Sequence, residues 1–256
     1  MEVKTKAQRL EDEQKFHNEI FENDKRTEEV GRFYKINDAI HKMYDDFIFQ
    51  NPKGKVYLEY GCGMAKGGRL TRLVRAGGVG HGIDISDYAV DFLSKEAAEE
   101  NLSIDYQVMD AENMTFDDNY FDVIYGSGIL HHLDLDKSYA SIAQKLKKEG
   151  TAIFIEPLGH NVLINGFRNK TPDIRTDDEH PLLLPDFKHA KRYFKDVDIS
   201  YFYLTTLAVP LVFKNNPPKF LINFFNGMDK VLFTLLPFLK KQAWQVVVKF
   251  SNPIHS

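Results

Sequence analysis

From Lys55 to about Tyr203, short apolar runs alternate with helical patterns. Val56-Tyr57-Leu58 predicts a first strand, followed by a glycine-rich turn and a helix around Gly68–Arg75. Gly80–Ile85 reads as a second strand, with Ser86 placed to cap a helix that carries Val90, Phe92 and Leu93. Ile104–Met109 and Phe121–Tyr125 predict strands three and four. A helix around Lys137–Lys147 comes next, and Gly150 turns the chain into a fifth strand, Ala152–Ile155. Val197–Tyr203 and Trp244–Phe250 read as strands six and seven. Strands that alternate with helices need crossover connections, so the pattern predicts an α/β fold with a seven-stranded, mostly parallel sheet and helices on both faces.

Two stretches depart from this rhythm. Before it, Phe33, Ile36, Ile40, Met43, Tyr44 and Phe47 recur at three- and four-residue steps, which makes residues 1–50 a helical cap with one apolar face. Residues 51–256 form the α/β domain, with insertions at about 157–192 and 205–240. Pro157, Pro172, Pro181 and Pro185 mark the first insertion. The second carries a wide apolar stripe: Leu221, Phe224, Phe225, Met228, Val231, Leu232, Leu235 and Leu239. Such a stripe is core, a lid over a cavity shared with the helix bearing Phe33 and Tyr34, or a face for peripheral lipid contact.

Composition narrows the function classes. The 256 residues are 43% hydrophobic and 27% charged, with a formal net charge of −4, so no basic surplus draws the chain to nucleic acid. The single cysteine, Cys62, excludes an internal disulfide and a multi-cysteine zinc site and suits a cytoplasmic location. Residues 1–30 hold 15 charged side chains and no apolar core of a signal peptide. No apolar run reaches the ~20 residues of a membrane span. Oligomeric state is left open.

Candidate chemistry gathers at strand ends. Glu59-Tyr60-Gly61-Cys62-Gly63-Met64-Ala65 follows strand one, where glycine lets the backbone turn sharply and approach a ligand. A dinucleotide fingerprint would need a third glycine where Lys66 stands. Asp84 closes strand two and is either a ribose-hydroxyl acceptor or a helix cap. Asp110-Ala111 closes strand three, and Gly126-Ser127-Gly128 closes strand four, ahead of Ile129-Leu130-His131-His132-Leu133. Open α/β sheets bind ligands at this edge.

In this order and spacing, Leu58-Glu59-Tyr60-Gly61-Cys62-Gly63, Gly82-Ile83-Asp84-Ile85-Ser86, Asp110-Ala111-Glu112 and Phe121-Asp122-Val123-Ile124 resemble class I S-adenosylmethionine-dependent methyltransferases, in particular the small-molecule group with a Leu-His-His-Leu stretch after strand four. The resemblance covers roughly residues 55–156 and implies a Rossmann-like fold and a small-molecule methyl acceptor. It also implies S-adenosylmethionine as cofactor and S-adenosylhomocysteine as product. Gly61 and Gly63 would pass under the methionine part, and Glu59 would support its ammonium or order the loop. Asp84 would hold the ribose, Ile85 would pack on adenine, Asp110 and Ala111 would read its edge, and Gly126 would sit beside the amino-acid end. Cys62 lies within this loop as a small packing residue or a nucleophile. Ala65 departs from relatives that carry a third glycine.

The acceptor side is read more coarsely. His132 is the candidate base for a hydroxyl acceptor, with a helix-capping role as the alternative, and Glu156, at the end of strand five, is a second catalytic candidate. Tyr34, His131, His160, Arg168 and Arg175 are candidate substrate contacts; the arginines can instead belong to ion pairs in a solvated loop. No metal is expected, because His160, Glu179 and His180 match no zinc spacing. The expected reaction is methyl transfer to a small, hydrophobic molecule, with oxygen favoured. A SAM-binding protein without catalysis, a nicotinamide oxidoreductase and a nucleic-acid methyltransferase are the alternatives.

Overall fold

The computed structural model describes residues 6–23, 33–64, 68–168, 180–213 and 216–255. The described chain begins with helices α1 (Lys6–Asn23) and α2 (Asp38–Ile48). Strand β1 (Val56–Tyr60), helix α3 (Arg69–Arg75), strand β2 (Val79–Asp84), helix α4 (Asp87–Glu99) and strand β3 (Ile104–Val108) form the first half of the sheet. Strand β4 (Phe121–Ser127), helix α5 (Leu135–Lys145) and strand β5 (Leu146–Pro157) follow. Helices α6 (Val162–Arg168) and α7 (Leu184–His189) precede β6 (Phe194–Phe202), and α8 (Ala208–Val212) and α9 (Lys219–Leu235) precede β7 (Gln245–Pro253).

The seven strands form one sheet in the order β3-β2-β1-β4-β5-β7-β6. The first five are mutually parallel, and β7 runs antiparallel to both β5 and β6. Alternation along the strands sorts side chains to two cores. Leu58, Ile124, Phe154 and Val248 join one cluster with Tyr139 and Ile142 of α5. Tyr57, Tyr125, Ile153 and Val247 join the other with Ile40, Tyr44 and Ile48 of α2. Both sheet faces are therefore covered, as parallel strands require.

The sequence expectations hold for all seven strands and change in three details. Gly150 is not a turn before β5: it lies inside that strand, where the register against β4 shifts between Phe121 and Val123. On α2 the buried stripe is Ile40, Tyr44 and Ile48, whereas Met43 is exposed. None of the expected stripe on α9 is fully buried: Phe224, Val231 and Leu235 face outward and the others are half-buried, while the buried residues of the helix are Ile222, Asp229 and Phe233. No helix among the described residues is long and apolar enough to cross a membrane.

Helix α9 is anchored by a polar side chain. The buried Asp229 carboxylate accepts hydrogen bonds from the backbone N–H groups of Leu204 and Thr205, at 2.9 and 2.8 Å, and from the hydroxyls of Thr205 and Thr206. It satisfies the start of the short turn Thr205–Leu207 that follows β6. Replacing Asp229 with alanine leaves those donors buried and unpaired, so urea unfolding should report a loss of about 2–4 kcal/mol. An unchanged midpoint would mean that the second insertion is held by its apolar contacts alone.

Candidate functional site

The carboxyl ends of β1 to β4 open onto a cavity of about 700 Å³. Its wall includes Glu59, Gly61, Cys62 and Gly63 from β1 and its loop, and Asp84 and Ile85 after β2. Asp110 and Ala111 follow β3, and Gly126 closes β4. The volume falls in the range that encloses a ligand of cofactor size. Every residue that the sequence nominated for cofactor binding lines this one space.

Local chemistry fixes the loop. Gly61 has φ +74°, a left-handed conformation that disfavours a side chain. The N–H groups of Gly61 and Cys62 both donate to the Ile83 carbonyl at 2.9 Å. Asp84 then joins two elements: one carboxylate oxygen accepts from Gly63 N–H at 2.8 Å and the other from Ser86 N–H at 2.9 Å, at the start of α4. Each carboxylate oxygen still has a lone pair for a ligand hydroxyl. At Gly126 the demand for glycine comes from packing, because a Cβ would lie 2.6 Å from the Tyr60 carbonyl and 2.9 Å from Phe154. The Gly126 carbonyl accepts from the Tyr44 hydroxyl at 2.8 Å. Below Asp110, the Tyr60 hydroxyl donates to the Ala111 carbonyl at 2.6 Å.

The cavity has an acidic wall. Glu13, Glu59, Asp84 and Asp110 line it, against the single guanidinium of Arg69, which is held by Asp45 at 2.6 Å. Burial pushes the Glu59 carboxyl up to about 8; Arg69 pulls it down and the Asp84 charge adds to the rise. A positively charged ligand beside Glu59 reverses that penalty, and a pyrophosphate would increase it. Burial, together with the Asp84 and Glu59 charges, pushes the Cys62 thiol up, so the packing reading of Cys62 stands over the nucleophile. This wall fits S-adenosylmethionine, a ligand with sulfonium and ammonium charges.

The acceptor-side candidates separate. His132 lines the cavity. Glu156 does not meet it, contrary to expectation: it is fully buried, and one carboxylate oxygen accepts from Ile129 and Leu130 N–H at 2.9 and 2.8 Å. The other lies 2.7 Å from His131 Nδ1. The turn after β4 leaves those N–H groups inside the protein, and an acceptor on the neighbouring strand must satisfy them. His131 is thereby committed to Glu156 and is absent from the wall. Tyr34 is exposed and packs on Trp244 at 5.9 Å, His160 accepts from Leu184 N–H at 3.3 Å, and neither lines the cavity. Arg168, at the end of α6, does not line it either. Arg175, Glu179 and Ala65 lie outside the described residues.

The cover over the cavity also differs from expectation. Tyr44, from the N-terminal helical face expected to share the lid, lines it together with Leu10, Glu13 and His17 of α1; among the described residues, Phe33, Tyr34 and α9 do not. Helix α1 docks by polar contacts. Gln14 donates to the Ile85 carbonyl at 2.9 Å, and Asn18 donates to Asp87 at 2.8 Å and accepts from the Ser86 hydroxyl. Two i,i+4 pairs, Gln14/Asn18 and Glu13/His17, thus present adjacent strips of one helix face to the site. That spacing was the available signal for these residues in a segment whose charge otherwise hides it.

Residues 58–154 match the family described as "Methyltransferase domain". Over 110 residues the chain is 32% identical to the ubiquinone biosynthesis O-methyltransferase of Coxiella burnetii, covering 43% of this chain and 46% of that protein. The chain thus spans about half the length of the curated relatives it matches. Among solved structures, a Haemonchus contortus phosphoethanolamine N-methyltransferase 2, in complex with phosphomonomethylethanolamine and S-adenosylhomocysteine, superposes with a TM-score of 0.64. It is 18% identical and covers 98% of this chain and 61% of that one. The geranyl diphosphate C-methyltransferase of Streptomyces coelicolor A3(2), in complex with Mg2+, geranyl diphosphate and S-adenosylhomocysteine, gives 0.57 at 12% identity, with 84% and 81% coverage. The three relatives methylate O, N and C by name, so they share a fold and not an acceptor. Glycine loop, acidic strand ends, sheet order and family match converge: the chain carries, at residues 58–154, a class I S-adenosylmethionine-dependent methyltransferase domain.

Proposed function

We propose that this protein transfers a methyl group from S-adenosylmethionine to an oxygen of a small molecule with a substantial hydrophobic part. The observation that carries this reading is the acidic cavity at the strand ends, with His132 on its wall. The O-methyltransferase names of the curated relatives support oxygen as the acceptor atom. The outward apolar residues Phe220, Phe224, Val231 and Leu235 of α9, with nearby Phe238, support a hydrophobic acceptor met at a lipid surface.

In this mechanism the Gly61–Gly63 turn lets backbone approach the methionine part, Glu59 holds the ammonium, and Asp84 takes the ribose hydroxyls. Ile85 packs on the adenine, whose edge Asp110 and Ala111 read. Bound S-adenosylmethionine supplies an electrophilic methyl carbon on a sulfonium sulfur. The chain's task is to align the acceptor with that carbon and to exclude water, and alignment alone is worth up to ~7–11 kcal/mol in favourable cases. His132 accepts the proton of the acceptor hydroxyl as the new C–O bond forms. The Glu156 carboxylate holds Ile129, Leu130 and His131, and so fixes the turn that presents His132; it is a positioning residue.

Calorimetric titration should show micromolar binding of S-adenosylmethionine and none of NADH, and Asp84→Ala should weaken the former about tenfold or more. NADH binding in its place would refute the reading, and an unaltered affinity in the variant would remove the ribose role.

Glu59 adds a pH dependence. Its folded-state value of about 8 lies above the usual 4.5, so its contribution to the stability of the ligand-free protein is complete below about 4.5 and is lost as pH rises through 8. A cation beside it favours the carboxylate, so cofactor binding near neutral pH releases a proton, and affinity rises with pH up to about 8. Titrations in buffers of different ionisation heat measure that proton. Glu59→Gln should abolish it, and a pH-independent affinity in the parent protein would refute the assignment.

For His132→Ala, turnover with a labelled methyl group and a hydrophobic phenol should fall by about 100-fold or more, with cofactor affinity within a factor of about three. Equal losses in both would make His132 a purely structural residue.

A further inference from the structure

Glu13 and His17 stand one turn apart on the inner face of α1, and His132 faces them from the turn after β4. One potential ligand atom from each of the three lies within 4.8 Å of the others. Glu13 Oε2 is 3.3 Å from His17 Nε2, and the rings of His17 and His132 meet edge to face at 5.7 Å. Glu13 is only 9% exposed, and its second oxygen, Oε1, is buried with no hydrogen-bond partner among the described residues. A carboxylate buried to this degree calls for a cation, and the imidazole beside it satisfies one oxygen at most.

We propose that Glu13, His17 and His132 bind a divalent transition-metal ion of the zinc class at the mouth of the cavity. Two imidazoles and one carboxylate are the donor set that zinc takes where three protein ligands leave a further position open. Bond lengths of about 2.0–2.2 Å place tetrahedral ligand atoms roughly 3.4 Å apart. The Glu13–His17 pair, at 3.3 Å, already has that spacing, and closing the 4.8 Å limit by up to about 1.4 Å brings in His132. All three residues line the cavity, so the open position faces the ligand space. Calcium and magnesium, which prefer oxygen donors, are disfavoured.

The ion would do two things. It would fasten α1, otherwise held by Gln14 and Asn18, to the turn after β4, and so close the cavity across its mouth. It would also offer the acceptor oxygen a coordination position. That second role rests on the methyl-transfer reading. Without the ion the His132 imidazole takes the acceptor's proton; with it His132 would be a ligand, and the hydroxyl, made acidic by the ion, would give its proton to solvent.

The test uses the full chain, freed of metal with a chelator and titrated with Co2+ and then Zn2+. One equivalent of Co2+ should produce the visible absorption of a low-coordinate cobalt ion, which Zn2+ displaces, and the melting temperature should rise on loading. His17→Ala and Glu13→Gln should each weaken binding about tenfold or more, and His189→Ala should not. Gln14 and Asn18 keep α1 docked in these variants; if His17→Ala unfolds, His17→Gln serves in its place. No saturable binding at one equivalent overturns the proposal, and so does binding that is indifferent to both α1 variants. Titration of the same metal-free protein with S-adenosylmethionine separates the two readings. Cofactor binding without metal binding removes the metal site alone, and metal binding without cofactor binding removes the methyl-transfer reading alone.

Discussion

Where a strand ends inside a protein and the chain turns, its backbone N–H groups point into space that water cannot reach, and each must find an acceptor. Buried or half-buried carboxylates meet that demand throughout this molecule. Asp84 holds the Gly61–Gly63 loop to the start of α4, and Glu156 holds the turn after β4. Glu112 accepts from Asp134 N–H at the head of α5, and Asp229 holds the turn after β6. Part of the site follows from this scheme. Asp84, and Asp110, which accepts from Glu112 N–H at 2.9 Å, serve backbone and also line the cavity, where they help make its wall favour a cationic ligand.

The fold was legible because strands covered on both faces read as short apolar runs, and all seven were found, the antiparallel β6 and β7 among them. The cofactor side was legible for a related reason: each nominated residue stands where a strand stops, and strand ends share one edge of the sheet. The acceptor side was harder. A sequence does not tell which way Glu156 points, and burial turned it from a reacting group into a brace. The α9 half of the cover was misassigned because apolar periodicity favoured it, whereas within the N-terminal cap α1 docks through Gln14 and Asn18 and carries little apolar signal. Gly150 looked like a turn, whereas glycine is needed there by packing: a Cβ would lie 2.9 Å from the carbonyls of Lys147 and Phe121.

The matched region, residues 58–154, stops within β5. It therefore contains the cofactor side and excludes α1, both insertions and the two last strands. Outside it, among the described residues, only Leu10, Glu13 and His17 of α1 and Tyr44 of α2 contribute to the cavity wall. Helix α1 adds Leu10, Glu13 and His17 to that wall, and α9 turns Phe220 and Phe224 outward while Phe233 is buried and Phe225 packs on the core.

The position of β7 also shapes how the protein is made. It lies between β5 and β6 and pairs with both, yet it follows β6 in the chain. On a ribosome β6 emerges first and has no neighbour in the sheet to receive it. The β1–β5 half can assemble from its own crossovers while β6 and the α9 segment wait, with apolar residues uncovered, until β7 arrives. Such non-local pairing is slow and prone to aggregation while it is pending. The β6 half of the sheet therefore forms late, once β7 has paired with β5.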